Sequence, residues 1–364
     1  MANVATSEYE LTTELKLKNF VSAVLQTVGV APSQAATVAE VLVAADLRGI
    51  ESHGVARLDS YYVSRIRAEK LTARPRYEVV RETDTSIVYD ADNGLGHPVS
   101  KLVMEEVIRK AGKHGAAFGA VRNSNHFGIA GYYAMLALEH DMIGLASTNS
   151  VRYAAPTYGK DIMLGTNPLA FAIPTAREPA FVLDFATTTV PRGKLEVYQR
   201  KGKSLIPGWA IDAHGQPTTS ASQALQGALL PLGGYGVENG GHKGFGLGLL
   251  VDIFCGVLAG GAFGNSLPLP NSAPQLGAIS HWFGAFRVDG FREVADFKRD
   301  MDRELRDFRT SAKAPGQDRI YVAGEIEYEK TEYHRLNGVP VHAKVWDGLK
   351  RLSSEVGVPF DLAQ

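Results

Sequence analysis

An α/β fold of two or three lobes, lacking the standard dinucleotide-binding arrangement, is what this sequence predicts, and three observations carry that expectation. At 364 residues the chain exceeds one minimal domain and can bury a large core. Segments with apolar residues at helical spacing alternate with short strand-like runs through its middle. The glycine fingerprint G-x-G-x-x-G is absent, since Gly94-Leu95-Gly96 is followed by Val99 where the third glycine belongs, and Gly246-Leu247-Gly248 by Val251.

From the N-terminus, Leu17, Phe20, Val21, Val24, Leu25 and Val28 recur at helical spacing and stop at Gly29, a residue suited to the left-handed conformation that ends helices. Pro32 and Ser33 open a second helix, marked by Val38, Val41, Leu42 and Ala45 and running to Gly49. Both lead into Ile50-Glu51-Ser52-His53-Gly54, where polar residues collect just past a helix end. Pro75 and Pro98 read as punctuation; Leu102 to Lys113 is then predicted helical. Ala116 to Val121 reads as a short buried strand entering Arg122-Asn123-Ser124-Asn125-His126-Phe127-Gly128. Ile129 to His140 is a helix candidate, and Met142 to Thr148, Leu169 to Pro174 and Phe181 to Phe185 are strand-like. Lys194 to Gly241, rich in Gly, Pro, Thr and Gln, reads as loops with short elements. Lys243 to Leu258 is predicted to be a buried glycine-rich helix, His281 to Val288 a strand, and Val294 to Phe308 a charged amphipathic helix. A strand at Ile320 to Val322 and a helix around Trp346 complete the chain, and no internal repeat is visible.

Composition narrows the function. Hydrophobic residues make up 45% and charged residues 21%, which suits a globular chain and not a disordered one. With 38 basic and 39 acidic residues the net charge is -1, so no broad positive field exists to neutralise phosphates and no nucleic-acid partner is expected. Cys255, the single cysteine, lies in an apolar run; it can form no intrachain disulfide and reads as buried filler, which fits a reducing compartment and a cytoplasmic location. Met1 to Thr13 lacks the basic start and apolar stretch of a signal peptide, so no export is expected. Gly244 to Pro268 is nearly uncharged but carries Asp252 and repeated glycines, and reads as a buried helix, not a membrane span. A Walker A loop fails because Val197 stands where the first glycine before Gly202-Lys203-Ser204 should be. His-Glu-x-x-His, paired cysteines and Gly-x-Ser-x-Gly are all missing, so no metal site is proposed. The residues alone lead to an α/β enzyme with histidines and arginines gathered at element ends.

Six segments sharpen that reading: Asp46-Leu47-Arg48-Gly49-Ile50-Glu51-Ser52-His53-Gly54-Val55-Ala56-Arg57, Asn125-His126-Phe127-Gly128, Gly165-Thr166-Asn167-Pro168, Leu183-Asp184-Phe185-Ala186, Arg192-Gly193-Lys194 and Gly241-His242-Lys243-Gly244. In this order, spread over nearly the whole chain, they resemble the type 2 malate/L-lactate dehydrogenase family, which includes sulfolactate and ureidoglycolate dehydrogenases, diketogulonate reductase and piperideine-carboxylate reductase. The resemblance implies a non-Rossmann, sulfolactate-dehydrogenase-like fold: a central mixed or antiparallel sheet flanked by helices, plus a helical domain built from both termini. It implies residues 1–115 as an N-terminal, substrate-side region, 116–310 as the cofactor-binding α/β domain, and 311–364 as a C-terminal segment packing with the first. A homodimer is expected. One departure is Val322-Ala323-Gly324-Glu325, where the family commonly has Pro before Gly-Glu.

The activity implied is NAD(P)-dependent interconversion of a 2-oxo acid and its 2-hydroxy acid. That chemistry needs a carboxylate anchor, a proton donor beside the carbonyl oxygen, and a hydride carrier. Arg57 suits the anchor because a planar guanidinium can pair two-pronged with a carboxylate; outside the motif it would read as a surface cation. Histidine suits the donor because its ordinary pKa of about 6.5 makes both protonation states reachable. His126 matches the acid/base of ureidoglycolate dehydrogenase and is the preferred donor; His53 matches the donor proposed for diketogulonate reductase, so an exchange of the two roles is the alternative. Tyr61, four residues after Arg57, would share its helical face and either contact substrate or pack in the core. Ser52 and Asn125 are placed to orient the histidines.

For the cofactor, Ser147, Thr148 and Asn149 at a strand end are candidates for the nicotinamide half. Asp184, Phe185 and Ala186 match a cofactor-lining strand end, although an Asp there also reads as a helix or turn cap. His242 and Lys243 precede a glycine-rich helix, where free N–H groups and the helix dipole favour phosphate. Gly324 and Glu325 are carried over as a further contact. NAD is preferred over NADP; Arg200 and Lys201 would favour a 2′-phosphate only if they faced it. Malate or lactate is the expected substrate, with sulfolactate, ureidoglycolate or a cyclic imine-2-carboxylate as alternatives. A nucleotide-binding regulator without chemistry is opposed by the intact His53, Arg57 and His126.

Overall fold

The computed structural model describes residues 8–270 and 276–363; of the segment read from Met1 to Thr13, residues 1–7 lie outside the described residues. In chain order the first half comprises β1 (Tyr9–Thr12), α1 (Glu14–Thr27), α2 (Pro32–Leu47), α3 (Ser64–Arg67), β2 (Glu78–Glu82), β3 (Ser86–Asp90), α4 (Gly96–His114), β4 (Ala116–Ser124), α5 (Ala130–Met135), β5 (Met142–Thr148), β6 (Leu169–Ile173) and β7 (Phe181–Phe185). The second half adds α6 (Arg192–Arg200), β8 (Ala210–Ile211), α7 (Ala221–Gln226), β9 (Ala228–Leu229), α8 (Gly241–Asp252), β10 (Ile279–Arg287), α9 (Val294–Thr310), α10 (Glu325–Asn337), β11 (Val339–His342) and α11 (Ala343–Val356).

Both chain ends build one apolar core. The Thr13 hydroxyl accepts from Lys16 N–H at the start of α1, whose Leu17, Phe20, Val21, Val24 and Leu25 are buried. β1 pairs antiparallel with β11, and Val339, Val341, Leu349 and Leu352 join the residues of α1 and α2 in that core. The second core surrounds a seven-stranded mixed sheet of order β2-β3-β4-β10-β5-β6-β7, antiparallel at every step except β3 to β4. β2, β3 and α4, all before residue 116, belong to this sheet layer. The mixed sheet flanked by helices is the architecture the resemblance implied.

Several local expectations are corrected. α4 begins at Gly96 and takes Pro98 into its first turn, where no helical partner for its missing N–H is needed. The polar 194–241 stretch opens with the regular helix α6, which follows Pro191. Ile320 to Val322 forms no strand; one bond, from Val182 N–H to Ala323 C=O, ties this segment to β7. The helix expected at Lys243 to Leu258 starts at Gly241, passes into a π-helical turn over Ile253–Val257, and is buried on one face only. Its other face leaves Leu250 42%, Val257 51% and Leu258 61% exposed, since an apolar sequence all round a helix does not say what covers each side.

Candidate active site

Two chain turns converge on one cluster of rings. The first follows α2. Asp46, buried at the end of that helix, accepts from Val55 N–H at 2.9 Å and so folds 46–55 into a tight loop. Burial pushes its carboxyl up to about 8. A Cβ at Gly54 would stand 1.8 Å from Asp46 Oδ1, so glycine is required there. The loop lifts His53 onto a single 3-10 turn, with Ser52 Oγ 2.9 Å from His53 Nδ1. Arg57 Nε donates to Ser52 C=O at 2.8 Å, which fixes the stem of the guanidinium while the residue stays exposed.

The second turn leaves β4. His281 of β10 lies beneath it, 2.8 Å from Thr148 Oγ1 and 2.9 Å from Ser124 Oγ, with its ring stacked on Phe127 at 4.5 Å. Above, the N-terminus of α4 presses so close that a Cβ on Gly96 would lie 2.2 Å from Asn125 C=O. That approach brings His97 to His126. Asn125, expected to orient a histidine, instead donates its buried amide to Asn93 and to Gly94 C=O at 3.0 Å. Its work is to hold the turn.

The rings of His53 and His126 stack with centroids 5.4 Å apart, and Tyr61 flanks His126 at 5.5 Å. His126 Nδ1 lies 2.6 Å from the Tyr62 hydroxyl and 3.3 Å from Gly128 N–H, while Nε2 has no hydrogen-bond partner among the described residues. The Tyr62 hydroxyl also lies 3.2 Å from His97 Nε2. Desolvation, then the nearby Arg57, holds the His53 ring down at about 4. Desolvation foremost, with His53, His97, Arg57 and His281 around it, holds His126 well below its ordinary range. These are neutral imidazoles at physiological pH. Arg57 is the cation beside them, and the set can bind a carboxylate and present a ring nitrogen to an oxygen next to it.

Tyr62 and His97 were missed in the sequence. Tyr62 follows Tyr61 in an ordinary apolar pattern, and only the π-helical turn over Leu58–Val63 sends it to the histidines. His97 sits in a segment read as a break before Pro98.

The strand ends proposed for cofactor are differently occupied. Ser147 Oγ lies 3.4 Å from Cys255 Sγ, Thr148 Oγ1 donates to Ser280 C=O at 3.0 Å, and Asn149 donates to Ala262 C=O at 2.9 Å; all three residues are buried. Asp184 accepts from Gly131 N–H at 2.7 Å in the first turn of α5, and burial raises its carboxyl. Phe185 and Ala186 are half-buried at the end of β7. Glu325 is buried, accepts from Val322 N–H at 3.1 Å and is ion-paired with Arg319 and Arg309. At Gly324 φ is +88°, and a Cβ would stand 2.9 Å from Val182. His242 and Lys243, by contrast, are exposed in the first turn of α8, with no side-chain hydrogen bond or ion pair among the described residues. The Lys243 ammonium and the His242 ring on the positive end of a twelve-residue helix fit a pyrophosphate. Among the described residues no group of three or more His, Cys, Asp or Glu is placed to hold a metal ion, and no helix is long and apolar enough to cross a membrane.

Comparison with known proteins identifies the family. The family model described as malate/L-lactate dehydrogenase matches residues 13–350. The chain is 43% identical over 344 residues to the malate dehydrogenase of Pyrococcus abyssi, covering 94% of each protein. It is 35% identical to the L-sulfolactate dehydrogenase of Methanocaldococcus jannaschii, covering 94% of this chain and 96% of that one. The crystal structure of malate dehydrogenase from Entamoeba histolytica superposes with a TM-score of 0.91 at 34% identity, over 98% of this chain and all of that one. This chain belongs to the malate/L-lactate dehydrogenase family and is an oxidoreductase of 2-hydroxy acids that works with a nicotinamide cofactor.

Proposed function

We propose that the protein is an NAD-dependent dehydrogenase of malate, with His126 as its acid/base. The observation that carries this reading is the asymmetry of His126: Nδ1 is held by Tyr62 and Gly128, and Nε2 is free, beside His53 and Arg57. A 2-oxo acid fits with its carboxylate on Arg57 and His53 and its carbonyl oxygen on His126 Nε2. During oxidation the neutral ring takes the hydroxyl proton at Nε2 and becomes an imidazolium; reduction runs the same step in reverse, from a ring first protonated by solvent. The stacked His53, Tyr61 and the buried Tyr62 keep bulk water from the ring. Ser52 orients His53 through their 2.9 Å contact.

Bound nicotinamide supplies the hydride at the carbonyl carbon. His242 and Lys243 would hold its pyrophosphate, and Phe185, Ala186 and Gly324 would line it, with the free oxygen of Asp184 beside them. Ser147, Thr148, Asn149 and Glu325 contribute shape, since their side chains are committed within the protein. Malate is favoured by the 43% identity to a malate dehydrogenase. The chain is divided as residues 1–115, 116–310 and 311–364, with the first stretch lending β2, β3 and α4 to the central sheet. A cytoplasmic homodimer is supported by the buried free Cys255 and by the apolar row Leu249, Leu250, Ile253, Val257 and Leu258, which one copy leaves exposed.

The test is oxidation of NADH and of NADPH, followed at 340 nm, against oxaloacetate, pyruvate, sulfopyruvate, 2-oxoglutarate, diketogulonate and pyrroline-2-carboxylate. Selective NADH oxidation with oxaloacetate is the expected outcome. Preference for pyruvate or sulfopyruvate would move the substrate, activity only with the imine would move the reaction, and preference for NADPH would overturn the cofactor choice.

A further inference from the structure

We propose that Arg65, in α3, selects substrates that carry a second acidic group: its guanidinium binds the distal carboxylate of a four-carbon oxo acid. The proposal rests on the reading of malate as the substrate, with its first carboxylate on Arg57.

A second carboxylate calls for a cation close to the first one and not already committed within the protein. Arg152 donates to Asn265 at 2.8 Å, Arg192 lies 3.6 Å from Glu196, and Arg67 is paired with Glu355 at 3.3 Å. Arg48, at the end of α2, faces Met135 and the carboxylates of Glu327 and Asp184. Arg65 is half-buried, and its side chain makes no hydrogen bond or ion pair among the described residues. What holds it is a ring: the guanidinium carbon stands over Tyr61, 4.3 Å from the ring centroid. A cation on a ring face spends none of its N–H donors, so the planar fork stays available to a carboxylate.

That ring belongs to the site. Tyr61 flanks His126 with centroids 5.5 Å apart, and His126 stacks on His53 at 5.4 Å, so Arg65 stands one ring away from the histidines. Burial raises the Tyr61 hydroxyl and keeps it protonated, while Arg65, the His126 backbone N–H and Arg57 act on it in the opposite sense. The hydroxyl therefore lies within electrostatic reach of both arginines and is a second donor beside Arg65.

The helical path accounts for the alignment. Arg57, Tyr61 and Arg65 are spaced four apart along the π-helical turn Leu58–Val63 and its continuation into α3. With 3.6 residues per turn, an α-helix would carry positions eight apart well off one line. The wider π turn, closed by i→i+5 bonds, takes up that drift and brings the three positions onto one face. Eight residues rise about 12 Å at roughly 1.5 Å each, and somewhat less through the wider turn. An extended four-carbon diacid gripped at both ends needs a similar span: its carboxyl carbons lie about 4 Å apart, and each sits roughly 4 Å from the guanidinium carbon it pairs with. Pyruvate has a methyl group where oxaloacetate carries its second carboxylate, and leaves Arg65 empty.

The test is steady-state NADH oxidation by the full chain with oxaloacetate, sulfopyruvate and pyruvate, in the wild type, Arg65→Gln and Arg65→Lys. Arg65→Gln should lower kcat/KM for oxaloacetate roughly tenfold to a hundredfold, chiefly through KM, as expected for one charge-assisted pair. Its kcat/KM for pyruvate should stay within about threefold of the wild type. Sulfopyruvate, with a sulfonate in the distal position, should follow oxaloacetate. Arg65→Lys keeps the charge but loses the fork, and should fall between wild type and Arg65→Gln. Equal losses on oxaloacetate and pyruvate would make Arg65 a support for Tyr61 and overturn the proposal, as would an oxaloacetate-to-pyruvate ratio that neither variant changes. If Arg65→Gln fails to fold, the ratio in Arg65→Lys decides. The wild type alone tests the malate reading: preference for sulfopyruvate, lost in Arg65→Gln, would defeat malate and keep Arg65, whereas preference for pyruvate would defeat both.

Discussion

His126 keeps one ring nitrogen free of every described protein group, whereas Asn149, at the strand end on the other side of β10, has each polar side-chain atom committed. Its Nδ2 donates to Ala262 C=O at 2.9 Å, and its Oδ1 accepts from Ser280 N–H at 2.9 Å. Both residues lie just past a strand of the same sheet, and both were singled out in the sequence. The difference shows that a motif places polar residues at a site without saying which are left free to react. In this pair, His126 holds one atom in reserve and Asn149 is satisfied.

The comparison can be broken at either end. The largest effect is expected for His126→Ala, which should lower kcat by about a hundredfold or more while NADH affinity, read by fluorescence titration, stays nearly constant. Loss of NADH binding to the same degree would place His126 among the supporting groups. Arg57→Ala should raise KM for the oxo acid by roughly tenfold to a hundredfold, the equivalent of one charge-assisted contact, with a smaller change in kcat. A fall in kcat with unchanged KM would remove Arg57 from the carboxylate.

Asn149→Ala should act in the opposite manner. It strands Ser280 N–H and Ala262 C=O in the interior and should lower stability by about 1–3 kcal/mol in denaturant unfolding, while the folded fraction keeps most of its kcat. A kinetic defect in fully folded protein would return Asn149 to the cofactor.

The smallest effect separates Asp46 from the histidines through pH. Burial raises the Asp46 carboxyl from 3.8 to about 8, so its native state binds more protons than the unfolded chain across that window, and stability falls as pH rises through it. His53 is depressed from 6.5 to about 4, so its contribution is present above 6.5 and is lost as pH falls toward 4. Between about pH 4 and 6.5 the two slopes oppose each other, and above 6.5 only that of Asp46 remains, so from these two groups the Tm of the wild type should decline from about pH 6.5 to 8. Asp46→Asn should flatten that alkaline decline and uncover an acidic one below about pH 6.5 from His53; an unchanged alkaline limb would show that Asp46 does not titrate in the folded protein.

Much of the fold was legible where local pattern and burial agree. α1 and α2 follow their apolar spacing and their glycine and proline boundaries, and β5, β7 and β10 follow their β-rich runs. α10 was not visible because its charged sequence has little apolar periodicity, and β1 and β11 are short strands that exist through pairing with each other. At the site, His53, Arg57 and His126 were legible through motifs, and the structure brings the two histidines into stacking contact. Asp184 also matched a motif, yet its carboxylate holds the first turn of α5, a partner 53 positions away in sequence.

By itself the sequence determined the family and the mixed α/β character and supplied the candidates for carboxylate binding and proton exchange, because side-chain chemistry and local periodicity are properties of the chain. Only the tertiary structure decided which of those groups remain unpaired, that Tyr62 and His97 stand behind His126, and that the 241–258 helix leaves one apolar face open. Each of these depends on contacts between segments distant in sequence, where a backbone approach at Gly96 too close for any Cβ, or one extra residue in a helical turn, redirects a side chain.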